Sequence, residues 1–175
     1  VTMDEEGFLY FIDHEKREVK RWRVGDPRET VIVGGNGTKN DLNRLQNPRK
    51  IFLDRDHSVY ISDHLKHRVI KWEKGAKQGI VVAGGNDAGN SLSQLSHPEG
   101  IIVDQSGTIY VADRLNHRIM RWRKGAKTGE IIVGGNGSGS QLNQLNHPSS
   151  LSFDRNGILF VADGKNHRVL KFQII

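Results

Sequence analysis

Residues 98–122, PEGIIVDQSGTIYVADRLNHRIMRW, recur fifty residues earlier as PRKIFLDRDHSVYISDHLKHRVIKW and fifty residues later as PSSLSFDRNGILFVADGKNHRVLKF. A further, partial copy opens the chain with VTMDEEGFLYFIDHEKREVKRW, and the period holds without insertion. A repeat this regular is one supersecondary unit stacked against its neighbours, and it sets the architecture before any single residue does.

Within one copy, Gly100-Ile101-Ile102-Val103 is a short continuous apolar run, which reads as a strand buried on both faces. Asp104-Gln105-Ser106-Gly107 is turn chemistry, with Gly107 able to take a positive φ. TIYVA, residues 108–112, is β-branched and aromatic and reads as a buried second strand. After the turn Asp113-Arg114-Leu115-Asn116, HRIMRW alternates apolar and basic, the pattern of a half-exposed third strand. A two-glycine loop at residues 124–129 leads to a fourth short strand at residues 131–133. The polar loop GGNGSGSQLNQLNH then runs to Pro148.

Four short antiparallel strands in about fifty residues is the size of a β-propeller blade, so the predicted class is all-β. No segment keeps a 3.6-residue period, which argues against a helical repeat. The blades fall at residues 1–47, 48–97, 98–147 and 148–175, the first divergent and the last lacking its outer strand. That is fifteen strands, three blades and three-quarters of a fourth, a partial ring. The long loop has to cross each blade from rim to channel. Leu45, Leu95 and Leu145, with Leu42, Leu92 and Leu142, are placed to pin the crossing onto the sheets.

Composition excludes some chemistry. With no cysteine there is no disulfide, thiolate nucleophile or Cys-based zinc site. No stretch of eighteen apolar residues is present, so no membrane span is expected. The formal net charge of +6 permits an acidic partner, nucleic acid included, although Lys and Arg follow the repeat rather than one patch. The chain opens inside a repeat, the expectation for the C-terminal part of a longer propeller. Self-association through open blade edges to complete a ring, or a four-bladed ring with a loose seam, are the alternatives.

YVADRLNHRIMRW, with PEGIIVD before it and GGNGSG after it, resembles the NHL repeat, and Asp-x-x-x-His-Arg-[Val/Ile] recurs in register at residues 63–69, 113–119 and 163–169. The first copy departs, with Arg17-Glu18 where the others have His-Arg. The resemblance implies a propeller, commonly of six blades, that binds proteins or RNA. A minority of relatives are enzymes, among them a metal-dependent amidating lyase.

A site needs asymmetry, and residues that repeat identically are candidates for structure. Asp63, Asp113 and Asp163 with Arg68, Arg118 and Arg168 read as an ion pair tying the turn between strands two and three. His67, His117 and His167 read as structural hydrogen-bonding groups. His97 and His147, with Asn47 in the same register, precede prolines where the chain enters the inner strand, and they are weak metal-ligand candidates around one channel mouth. Gly134-Gly135-Asn136-Gly137 has no helix after it and reads as a turn, not a phosphate cradle. Asn36-Gly37-Thr38 and Asn136-Gly137-Ser138 match the glycosylation sequon.

Strand order puts the two–three turns and the crossing loops on one face. That face gathers His64, Lys66, Arg114, Asn116, Lys165, Asn166 and the Gly-Gly-Asn segments at 34–36, 84–86 and 134–136. Here the copies disagree, with His14, His64, Arg114 and Gly164 in one register and Arg49, Glu99 and Ser149 in another, followed by Lys50, Gly100 and Ser150. Variable side chains on a rigid scaffold are how such a fold acquires a partner. The reading is a non-enzymatic scaffold, without cofactor, that binds a protein through this face. Single-stranded RNA binding on the basic face is the alternative, with Trp22, Trp72, Trp122 and Phe172 serving packing between blades rather than base stacking. A metal-dependent lyase- or hydrolase-like enzyme is the second alternative.

Overall fold

The computed structural model describes residues 1–34 and 42–174. Gly35 and Asn36 of the first Gly-Gly-Asn segment and the sequon Asn36-Gly37-Thr38 lie outside the described residues. Four antiparallel sheets follow one another along the chain. Blade one holds β1 (Thr2–Met3), β2 (Leu9–Asp13), β3 (Glu18–Trp22) and β4 (Thr30–Gly34). Blade two holds β5 (Pro48–Leu53), β6 (Val59–Asp63), β7 (Arg68–Trp72) and β8 (Ile80–Gly84). Blade three holds β9 (Pro98–Val103), β10 (Ile109–Asp113), β11 (Arg118–Trp122) and β12 (Glu130–Gly134). Blade four holds three strands, β13 (Pro148–Phe153), β14 (Ile158–Asp163) and β15 (Arg168–Gln173). The chain is therefore all-β, a run of propeller blades whose inner strands β5, β9 and β13 contact one another in turn.

Local chemistry explains the turns. Between strands one and two, the Asp104 carboxylate accepts the amides of Ser106 (2.9 Å) and Thr108 (3.0 Å), and Gly107 follows at φ 81°. Asp54 and Asp154 do the same for their own turns. Between strands three and four, the Trp72 indole donates to the Ala76 carbonyl at 3.0 Å and closes the hairpin.

The core sits at the seams between blades. Tyr10, Val19 and Val33 of blade one pack with Ile51, Ile61, Ile70 and Trp72 of blade two. Val69 and Ala83 of blade two pack with Ile101, Val111, Met120 and Trp122 of blade three. Ile119 and Val133 of blade three pack with Leu151, Leu159 and Val161 of blade four. Successive residues of one strand thus enter successive seams. This corrects the half-exposed reading of strand three: in β7 and β11 four of five residues are buried, because both faces of the sheet have a neighbour. The buried aromatic at the end of the strand, Trp122, belongs to the seam between blades two and three.

The second and third crossing loops bury one leucine each. Leu45, Leu95 and Leu145 lie in the three seams, between 0% and 2% exposed. Their expected partners differ: Leu42 is half-buried, but Leu92 and Leu142 are exposed. The crossing loop passes Leu92 outside the seam, where its carbonyl accepts the Gly129 amide at the start of β12.

Candidate functional site

Three layers build the face that carries the two–three turns, and the deepest is a clamp. β10 ends at Asp113, which is fully buried and followed by a single 3₁₀ turn at Arg114–Asn116. Its carboxylate accepts from Arg118 Nε at 2.7 Å, Asn116 Nδ2 at 2.8 Å and the Ser96 amide at 2.6 Å. Arg118 then spreads its guanidinium over the carbonyls of Asn90, Ser91 and Gln94. One buried ion pair therefore ties the turn to the incoming crossing loop. Asp163 and Arg168 repeat the arrangement (2.8 Å), and Arg168 reaches Ser140, Gln141 and Gln144. In blade two Asp63 takes the Gln46 and Asn47 amides and pairs with Arg68 at 3.3 Å. Burial pushes the Asp113 carboxyl up, against the pull of Asn116, the Ser96 amide and Arg118. The pair is thus a positioning device more than a source of stability, as desolvation leads one to expect.

Asn116, grouped on sequence with the binding residues, belongs to this clamp. Its side-chain amide is spent on Asp113 and on the Gly89 carbonyl (2.7 Å), and Asn166 does the same with Asp163 and Gly139. Blade one replaces the clamp: Lys20 Nζ sits 2.8 Å from Asp13 and 3.2 Å from Glu29, and with Lys20 as its main cause the Asp13 carboxyl is held low.

The second layer is a histidine latch between blades. His67, His117 and His167 each hold a left-handed backbone (φ 51° to 52°). The Gly85 and Gly135 amides donate to the His67 and His117 carbonyls, each at 3.0 Å. A Cβ on Gly84 or Gly134 would collide with those same carbonyls, which is why the crossing loop opens on paired glycines. The side chains reach forward: His97 donates its amide to His67 Nδ1 (3.1 Å), and His147 donates to His117 Nδ1 (3.3 Å). Nδ1 must therefore be unprotonated. Burial first, then the neighbouring His97 charge, pulls the His67 pKa down, while burial and Lys165 do so for His117. The first seam has Arg17 and Asn47 at these two positions, so both members of the latch are exchanged together.

This geometry also places the suggested metal ligands. The His97 ring packs edge-on between His64 (4.8 Å) and His67 (4.5 Å), and the His147 ring packs on His117 (4.9 Å). They pair with the preceding blade rather than converging on one point. Among the described residues no group of three or more His or acidic side chains is set to hold a metal ion.

The third layer is where the copies differ. Arg114 Nε lies 3.0 Å from Glu99, joining the two variable registers inside blade three. His64 Nδ1 lies 3.2 Å from the Pro98 carbonyl and joins blade two to blade three. Burial lowers the His64 pKa, and the charges of Arg49, His97 and Arg114 push the same way. Burial also lowers that of His147, helped by Lys165 and Arg114. Ser149 lies under Gly164, where a Cβ would approach its Oγ to 3.6 Å. His14 is exposed on the turn after Asp13. Gly100 has a packing role instead, since a Cβ there would press on the Ser150 backbone at 2.8 Å.

The sequence of the NHL repeat matches residues 95–121 and 145–172, the third and fourth copies with the ends of their crossing loops. The chain carries NHL repeats. No curated protein matches it. Among solved structures, an auxiliary nutrient binding protein from Bacteroides thetaiotaomicron VPI-5482 is 20% identical over 97% of this chain and 46% of its own, with a TM-score of 0.74. A chain of a nidogen/laminin complex is 22% identical over 96% of this chain and 57% of its own (TM-score 0.69). A streptogramin B lyase is 12% identical over 98% and 53% (TM-score 0.68). These likenesses establish the fold, and this chain spans about half the length of the structures it resembles.

A feature without a sequence signal lies on the opposite face. A concavity of about 1070 Å³ opens between the one–two turns and three–four hairpins, lined by Phe52, Tyr60, Val103, Trp122 and Phe153 with Lys71 at its side. Its walls are apolar side chains of the strands, which on sequence read as packing between blades. Among the described residues no helix is long and apolar enough to cross a membrane.

Proposed function

We propose that this chain is a non-enzymatic NHL scaffold that binds a protein through the face of the two–three turns and crossing loops. The observation that carries the reading is the contrast inside blade three. Asp113 and Arg118 repeat in register and are consumed by the clamp, while Arg114 and Glu99, which do not repeat, meet on the surface one turn away. A rigid frame with variable, partly exposed charges is the arrangement of a recognition surface. The likeness to a chain from a nidogen/laminin complex agrees with such a role. RNA binding has less support. Trp72 and Trp122 are 6% and 1% exposed, so these two repeat aromatics serve the seams between blades rather than as platforms for bases.

An array of peptides of differing charge tests the reading. Binders should be lost when Arg49, Glu99 and Arg114 are all changed to Ala, and kept when Lys124 and Arg155 on the opposite face are changed instead. The reverse pattern would move the site to the other face, and an array without binders would end the proposal.

A further inference from the structure

The face described above has a definite charge order. Arg49, His64, Arg114, His147 and Lys165 follow one another across three blades: the amides of His64, Leu115 and Lys165 bond the carbonyls of Asn47, Ser96 and Asn146 just before each inner strand, and His64 Nδ1 reaches the Pro98 carbonyl at 3.2 Å. Arg114 stands at the centre, with its side chain 33% exposed and Glu99 against its guanidinium at 3.0 Å. Arg49 and Lys165 are exposed at the two ends. Between these charges the same turns lift aliphatic side chains into solvent, Leu65 (42% exposed) beside His64 and Leu115 (37%) beside Arg114.

We propose that this series of side chains docks an acidic peptide that also carries aliphatic residues, its carboxylates on Arg49, Arg114 and Lys165 and its aliphatic groups on Leu65 and Leu115. The inference rests on the reading of this face as a protein-interaction surface and names the chemistry of the partner. Charge complementarity selects carboxylates, since partly exposed guanidinium groups pair with them in a fixed fork. Leucines between the charges select a peptide over a nucleic acid, whose bases call for aromatic platforms. Glu99 occupies the position on Arg114 that an incoming carboxylate takes, so it competes with the ligand from within the chain.

Fluorescence anisotropy on the full chain decides the matter, with a labelled synthetic peptide of Glu, Leu and Gly, its Gln-for-Glu analogue and a single-stranded oligouridine as probes. The acidic peptide binds and the Gln analogue binds at least about tenfold more weakly. Arg114→Glu weakens the acidic peptide by about tenfold and Lys165→Glu by about threefold, while Glu99→Gln tightens it by about threefold. Thermal melts check each variant; if Arg114→Glu fails to fold, Lys165→Glu and Glu99→Gln carry the test. Equal binding of the Gln analogue, still lost on changing Leu65 and Leu115 to Ser, would overturn the acidic partner and leave the protein-interaction surface standing. Oligouridine that binds more tightly than the peptide and loses affinity with Arg114→Glu would overturn both in favour of nucleic acid. Absence of binding by every probe would overturn the proposal outright.

Discussion

β11 and β15 carry nearly the same sequence, RIMRW and RVLKF, in the same register of their blades, yet they live in different surroundings. Ile119 is fully buried and its counterpart Val169 is 67% exposed. The side chain of Arg118 is 3% exposed and that of Arg168 is 27%. The difference is positional. Odd residues of β11 face blade four and even residues face blade two, so both sets are covered. In β15, Leu170 and Phe172 face blade three and are partly buried, whereas Val169 and Lys171 look away from it. In this fold the local sequence makes the strand, and the neighbour makes the core.

The largest test of that contrast lies in the clamp. Asp113→Ala leaves Arg118 buried among carbonyls without its counter-charge and should cost about 3–5 kcal/mol in urea denaturation. Asp163→Ala makes the same deletion, but Arg168 reaches water, and about 1–2 kcal/mol is expected. Equal losses would show that the two clamps are alike in solution and that the exposure of Arg168 has no energetic meaning. The apolar version of the test comes next. Ile119→Ala empties a packed seam and should cost about 2–4 kcal/mol, while Val169→Ala should stay within about 0.5 kcal/mol. A large effect at Val169 would mean that something covers β15 in solution.

How much of this was legible beforehand follows the same line. The strands, their number and the identity of the Asp–Arg pair could be read because each is local: periodicity, turn chemistry and a fixed spacing of five residues place them. The role of the pair was only half visible. Its partners are backbone groups of the crossing loop, Ser96, Asn90 and Gln94, and no side-chain pattern announces a backbone acceptor. Burial of β7 and β11 was missed for a different reason. Alternation of apolar and basic residues predicts one wet face, but Arg118 carries its charge into the clamp while its strand stays covered. Asn116 looked like a surface residue because its neighbour Arg114 is one. The latch between His67 and His97 shows in the sequence only as a joint exchange, Arg17 with Asn47 in the first seam, thirty residues apart.

That joint exchange sets up a pH comparison between seams. His67 and His117 accept a backbone proton at Nδ1, and their pKa values are lowered from 6.5 by burial. A histidine whose folded-state pKa is depressed contributes stability that is complete above its unfolded value and is lost as pH falls from there through the folded value. Acidification below about 6.5 should therefore loosen the seams between blades two and three and between three and four, by about 1 kcal/mol per latch. The latch position of the seam between blades one and two holds Arg17 and Asn47 and no imidazole, so the Asn47 amide should not follow this transition. Amide NMR signals of His97 and His147, followed against that of Asn47, read the difference, and a parallel shift of all three would remove the latch from the explanation.

The smallest effect concerns the leucines of the crossing loops, where the repeat Leu-x-x-Leu promises two anchors and the structure uses one. Leu95 and Leu145 are fully buried, while Leu92 and Leu142 are 49% and 89% exposed. Both outer leucines are preceded by similar polar residues, so their difference again comes from outside the loop. Beside Leu92 runs blade three's hairpin, whose Gly129 amide bonds the Leu92 carbonyl at 2.8 Å, whereas among the described residues blade four has three strands and none in the place of β12. Burying about half of a leucine corresponds to roughly 1 kcal/mol, so Leu92→Ala should destabilise by somewhat less than that and Leu142→Ala by no more than about 0.2 kcal/mol. A Leu142 variant that costs as much as the Leu92 variant would be informative beyond its size. It would show that the outer leucine packs on a surface the other copies supply from their fourth strand, and it would locate that surface next to β15.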